Sequence, residues 1–94
     1  MTTAVFHDEP HSRYVIAVDG VEAGFAAYQA VDGIVDFDHT VIAESFRGRG
    51  LSTQLIAEAL DDVRERGGVI RPSCSAVRRF VEKNSAYDDL VAQR

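Results

Sequence analysis

Two Asp-Gly dipeptides, Asp19-Gly20 and Asp32-Gly33, constrain this chain more than any other feature. Each sits between runs rich in β-branched and aromatic residues, and Asp-Gly is a strong signal for a tight two-residue hairpin turn. "RYVIAV" (Arg13–Val18), "VEAGFAAYQAV" (Val21–Val31) and "IVDFDHTVIA" (Ile34–Ala43) are therefore expected to form a three-stranded antiparallel meander. In the third run Ile34, Asp36, Asp38 and Thr40 alternate with Val35, Phe37, His39 and Val41, which places His39 on the apolar side. Residues 1–12 are polar and contain Pro10; they are expected to be a loose N-terminal segment with room for a short strand.

After Glu44 the period changes. Leu51, Leu55, Ile56, Ala59, Leu60 and Val63 fall on one helical face, with Glu58, Asp61, Asp62 and Arg64 on the other. Gly67-Gly68 should end this helix. "VIRP" (Val69–Pro72) reads as a short strand and "SCSAVRRFVEKN" (Ser73–Asn84) as a second helix with a serine available to cap it. The strand-helix-strand stretch has the length of a right-handed βαβ crossover, so its strands should pair in parallel. The expected fold is one α+β domain over residues 1–94, in the order β-β-β-α-β-α, with a mixed sheet.

Composition narrows the function classes. The chain has 94 residues, 46% apolar and 27% charged, ordinary for a globular domain. No apolar run approaches the roughly 20 residues of a membrane span, and the N-terminus lacks a signal-peptide pattern. The single cysteine, Cys74, excludes an internal disulfide and the usual zinc spacing, so no metal is expected and a reducing, cytoplasmic setting is. The net charge of −5 disfavours nucleic acid. That charge is uneven: residues 1–46 hold one basic and eight acidic side chains (−7), residues 47–94 nine basic and seven acidic (+2). An anionic small molecule would be received best by the second half.

"ESFRGRGLSTQL" (Glu44–Leu55) lies where a strand ends and a helix begins. Backbone N–H groups are unpaired there and the helix dipole is positive. Gly48 and Gly50 remove side chains that would keep an anion away, and Arg47 and Arg49 add charge. A phosphate suits such a turn, although a plain loop is the competing reading. The Walker and GxGxxG patterns are both absent.

"HTVIAESFRGRGLSTQLIAEAL" resembles the acetyl-CoA-binding segment of the GNAT superfamily of N-acetyltransferases, with Arg47, Gly50 and Ser52 in its Arg/Gln-x-x-Gly-x-Gly/Ala motif. Ser52 departs from the usual Gly or Ala but is small. More narrowly, His39-Thr40, the glycine motif, "RPSCSAVRRFVEKN" and "YDDLV" resemble a group of very short, stand-alone GNAT-like proteins, over about residues 13–91. The resemblance implies that acetyl-CoA or CoA is the cosubstrate. Backbone groups of Val41, Ile42 and Ala43 would pair with the pantetheine arm. The amides of Arg47, Gly48, Arg49, Gly50, Leu51 and Ser52 would hold the pyrophosphate, and Lys83 and Asn84 would reach the far side of the cofactor or its 3′-phosphate. The helices with which larger relatives build an acceptor groove have no counterpart here.

Two residues are catalytic candidates. Cys74 follows Pro72-Ser73 at an expected helix N-terminus, which favours the thiolate, and a thiolate beside a thioester can accept its acyl group. The short group has a cysteine at this "PxCxxV" position. The alternative is a small buried side chain that packs or lines the thiol end of the pocket. His39 is either a base for an amine or for Cys74, or a structural residue at the strand end. Glu44 is a further candidate base. The short group often has an acid directly after "HT", where this chain has Val41. Late Tyr87 is expected to pack, and His7 and His11 to have no chemical role.

These features leave an enzyme that moves acetyl to an amine, directly or through Cys74, or a CoA-binding module with little turnover. The acceptor and the oligomeric state stay open, and a free sheet edge would let a second copy pair.

Overall fold

A computed structural model describes residues 2–92. The strands are β1 (Thr3–Asp8), β2 (Arg13–Val18), β3 (Val21–Val31), β4 (Ile34–Ile42) and β5 (Val69–Pro72). The helices are α1 (Leu51–Glu65) and α2 (Ser75–Lys83). One five-stranded sheet has the order β1-β2-β3-β4-β5. Its first three pairings are antiparallel and β4–β5 is parallel, as the α1 crossover requires. Among the described residues no helix is long and apolar enough to cross a membrane.

The two hairpin turns form as the Asp-Gly pairs dictate. Asp19 and Gly20 have φ of 51° and 83°, and Asp32 and Gly33 have 54° and 79°. Both central residues are left-handed, the geometry whose twist matches the flanking strands. Helix α1 ends where Gly67 turns left-handed at φ 76°, with the amides of Gly67 and Gly68 returning to the carbonyls of Arg64 and Val63. That pairing satisfies two otherwise orphaned carbonyls.

The core lies between one sheet face and α1. Tyr14, Ile16, Val18, Ala26, Tyr28, Phe37 and Ile70 meet Leu55, Ile56, Ala59, Leu60 and Val63, and Val77 and Val81 of α2 close the end beside β5. Each fully buried Leu or Ile here stabilises the fold by roughly 1.5–3 kcal/mol.

Two expectations are corrected. The N-terminal segment forms the six-residue edge strand β1, paired with β2 along its whole length, followed by a 3-10 turn at Glu9–His11. His7 points to the core side. Its ring stacks on Tyr14 at 4.2 Å and its Nε2 lies 2.5 Å from the Tyr28 hydroxyl, so this strand is anchored by a polar residue rather than by apolar alternation. The second correction concerns β4. The β3–β4 register shifts between Ala27 and Tyr28, pairing Ala27 with His39 but Tyr28 with Phe37. Asp38 is the extra residue of a bulge, which inverts the alternation beyond it. His39 thus leaves the Phe37 face. It is exposed on the outer side of the sheet, with its ring 6.2 Å from that of Phe25. Thr40 turns to the core side opposite Ala26.

Candidate active site

Strands β4 and β5 pair only from Ile34–Val69 to Phe37–Pro72. Beyond that rung they separate. Pro72 cannot donate to a further ladder bond, and β5 gives way to the turn into α2. The amide of Cys74 makes the closing contact, donating to the Phe37 carbonyl at 2.8 Å. Residues 38–42 of β4 therefore run on with a strand partner on one side only; Val41 and Ile42 lie on that stretch and Ala43 follows it.

Cys74 occupies the fork. It is the N-cap residue of α2 with extended backbone and is 9% exposed. The sequence placed the cap on a serine; no side-chain cap bond forms, and the helix begins at Ser75. The thiol donates to Thr40 Oγ1 at 3.3 Å. Burial pushes the Cys74 thiol up. The hydrogen bond with the Thr40 side chain and the amides of Val77, Ala76 and Thr40 outweigh it, so the thiol lies below its ordinary range. Unpaired amides in the first helical turn favour the thiolate for the same reason.

The glycine loop follows β4 through a 3-10 turn, Glu44–Phe46, in which Glu44 is exposed beyond the strand end. Gly48 and Gly50 are left-handed at φ 82° and 73°, and Gly50 caps α1 without a side-chain bond. A Cβ built at either glycine meets nothing within 4 Å, so the backbone of the loop is open to the surroundings at both positions. The first-turn amides of α1 have no helical acceptors, and no acidic residue occupies that turn. The arginines are arranged around the loop rather than across it. Arg47 Nε donates to the Ile42 carbonyl at 3.2 Å, and the Arg49 guanidinium lies 5.4 Å from the Phe46 ring centre.

From this loop a cleft of about 270 Å³ runs between the helices, lined by Ser52, Thr53 and Ile56 of α1 and by Ala76, Arg79, Phe80, Lys83 and Asn84. Arg79 and Lys83 make the α2 wall positive. Sequence reading named Lys83 and Asn84 but missed Arg79 and Thr53, which the one-turn spacing from Lys83 and the neighbouring Ser52 could have signalled. Phe80 is half-buried and forms part of this wall, with its ring 5.4 Å from Tyr87. Asn84 Nδ2 donates to the Phe80 carbonyl at 2.8 Å, which fixes its side chain. Tyr87 packs, as expected, and its hydroxyl donates to Asp61 at 2.7 Å.

The fold thus brings Cys74 to the half-paired edge of β4, with the glycine loop following that strand and the helix cleft opening beside Ser52 and Ala76. It leaves His39 on the opposite sheet face, without a contact to Cys74 among the described residues. A separate cleft of about 290 Å³ between β1 and α1 is lined by Glu58, Asp61, Asp62 and Glu65, and such walls repel a phosphate.

Residues 13–90 match the family model described as GCN5-related N-acetyl-transferase. The chain belongs to this family. Protein NATD1 of Bos taurus is 30% identical over 82 residues, covering 85% of this chain and 73% of that one. A GCN5-like protein of Staphylococcus aureus has the same fold, with a TM-score of 0.71 at 22% identity over 97% of this chain and 89% of that one. AAC(6′)-Iy, solved with a bisubstrate analogue of CoA and acetylneamine, shares the fold at a TM-score of 0.52 and 23% identity, over 87% and 61% of the two chains.

Proposed function

We propose that this protein is an acetyl-CoA-dependent N-acetyltransferase acting on an amine, with the acetyl group passing through Cys74. The observation that supports this reading best is the fork itself: the β4–β5 ladder ends early, the chain's one thiol sits where the strands part, and β4 leads on into a glycine-rich helix start. Among solved structures of this fold, one holds a CoA-based bisubstrate analogue.

In this reading the pantetheine arm lies along residues 41–43 and takes the place of the missing strand, with Arg47 releasing the Ile42 carbonyl. The amides from Arg47 to Ser52 bind the pyrophosphate, and Arg79, Lys83 and Asn84 bind the outer part of the ligand. The Cys74 thiolate attacks the thioester carbonyl. The bond between that carbon and the CoA sulfur breaks, and the CoA thiolate leaves and takes up a proton. An amine then attacks the Cys74 thioester, loses a proton and restores the thiolate. His39, on the outer face of the sheet and without a contact to Cys74 among the described residues, takes no part in this step, and the proton passes to solvent. A reducing cytoplasmic setting would keep the thiol competent.

The test is calorimetric titration with CoA and acetyl-CoA, followed by intact mass of the protein mixed with acetyl-CoA. We expect binding and an acetyl adduct that Cys74→Ala abolishes, along with most of the transfer to amines. Native turnover in Cys74→Ala would overturn the covalent route in favour of direct transfer. Binding without turnover on any amine would favour the second reading, a CoA-binding module, which the exposure of His39 and the absence of a carboxylate at position 41 support.

A further inference from the structure

Thr40 was read in the sequence as part of a motif and of the strand's polar side, yet among the described residues its hydroxyl is the one side-chain group bonded to the Cys74 sulfur, across 34 residues of chain. Its orientation follows from the Asp38 bulge. Without the extra residue, Thr40 would lie on the outer face and His39 on the core side. The bulge therefore exchanges which of two neighbouring side chains meets the fork.

We propose that Thr40 is a positioning residue for Cys74: its hydroxyl holds the sulfur in the fork and reverses its hydrogen bond when the thiol ionises. In the thiol state the S–H donates to Thr40 Oγ1. Once that proton is gone the sulfur can only accept, and a hydroxyl, unlike an amide, can rotate to donate to it. The change needs no movement of backbone. This inference rests on the reading of Cys74 as the acyl-accepting group, but its central claim concerns the free protein.

The ionisable residues nearest in chain on the elements around the sulfur are Asp38 and His39 of β4, Arg71 of β5 and Arg78 of α2. Among the described residues none makes a hydrogen bond or ion pair to it. Asp38 accepts from Gln29, and Arg78 donates to the Ser73 carbonyl. Uncharged donors therefore decide how readily Cys74 ionises, and Thr40 is the one among them that a substitution can remove.

Because Cys74 is the chain's single cysteine, [13Cβ]cysteine labelling gives one NMR signal whose shift follows thiol ionisation without any reagent entering the fork. Thr40→Val keeps the shape and removes the hydroxyl. We expect its titration to move to higher pH, with the thiolate fraction at neutral pH falling about tenfold, the scale of one hydrogen bond to a charged group. Thr40→Ser should restore the native curve. Superimposable curves for native protein and Thr40→Val would overturn the proposal. Circular dichroism checks the fold, and Thr40→Ala replaces the valine variant if that one is unfolded. A native Cys74 that titrates like a free cysteine would overturn the proposal without any variant. All of these measurements are made without acyl-CoA or amine. Native turnover in Cys74→Ala would end the covalent route and leave the titration result standing; unmoved curves would end the role of Thr40 and leave the route standing.

Discussion

Gly50 shows how much one position can determine. Its φ of 73° is a conformation that costs an L-residue about 1–2 kcal/mol, and the space beside it at the start of α1 is open. Gly50→Val should weaken CoA binding by tenfold or more in calorimetry. Gly20→Val imposes comparable backbone strain at φ 83° in a hairpin turn away from the loop, so it should lower the melting temperature without that loss. Equal affinity for native protein and Gly50→Val would place the phosphate site elsewhere. Gly50 and Cys74 were legible as residues because their chemistry is local: a glycine before a helical pattern, a cysteine at a helix start. The partner of Cys74 was not. Thr40 is distant in sequence, and its direction depends on a bulge that alternation alone cannot reveal. Asp62 is a similar case. It read as part of a solvated helix face, but it accepts from the Tyr14 hydroxyl at 2.6 Å and from Arg66 at 2.8 Å.

At the scale of elements, the apolar face of α1 was read in full. The six residues picked out by period are its six buried ones, because a helix packed on one sheet has no other way to bury that stripe. The two hairpins were equally plain. Strand β1 was not, because its core-side His7 packs against rings from β2 and β3 that a local window does not contain. Strand β3 makes one further close contact with β4. A Cβ at Gly24 would fall on the Val41 carbonyl, and within 3.1 Å of Ile42 Cα. These are backbone atoms and cannot rotate away. Gly24→Ala should therefore push the end of β4 outward, destabilise the fold by about 1–3 kcal/mol in denaturant titration, and weaken CoA binding in parallel. A variant with native stability and affinity would show that β4 has slack at the strand end.

Across the whole molecule, the three tyrosines share one electrostatic condition. Burial raises Tyr14, Tyr28 and Tyr87 above the ordinary phenol range. Asp62 adds to the effect on Tyr14, Glu9 on Tyr28 and Asp61 on Tyr87. The folded state holds these protons more tightly than the unfolded chain does. The stability they contribute is complete below about pH 10 and is lost as pH rises further. Absorbance at 295 nm should stay flat through that range while circular dichroism is native, then rise as the fold is lost. Half-ionised tyrosines in a protein with a native spectrum at pH ~10 would contradict this account. Tyr14→Phe should shift the alkaline transition to higher pH, provided its lost bond to Asp62 leaves the protein folded.

The early end of the β4–β5 ladder also has a consequence in time. Amides beyond Phe37 that face the fork have no strand to protect them, so in deuterated solvent they should exchange far sooner than those facing β3. A bound molecule that lies along this edge would slow them selectively. The protection pattern of residues 38–43, with and without CoA, would then trace the path of the ligand one peptide group at a time.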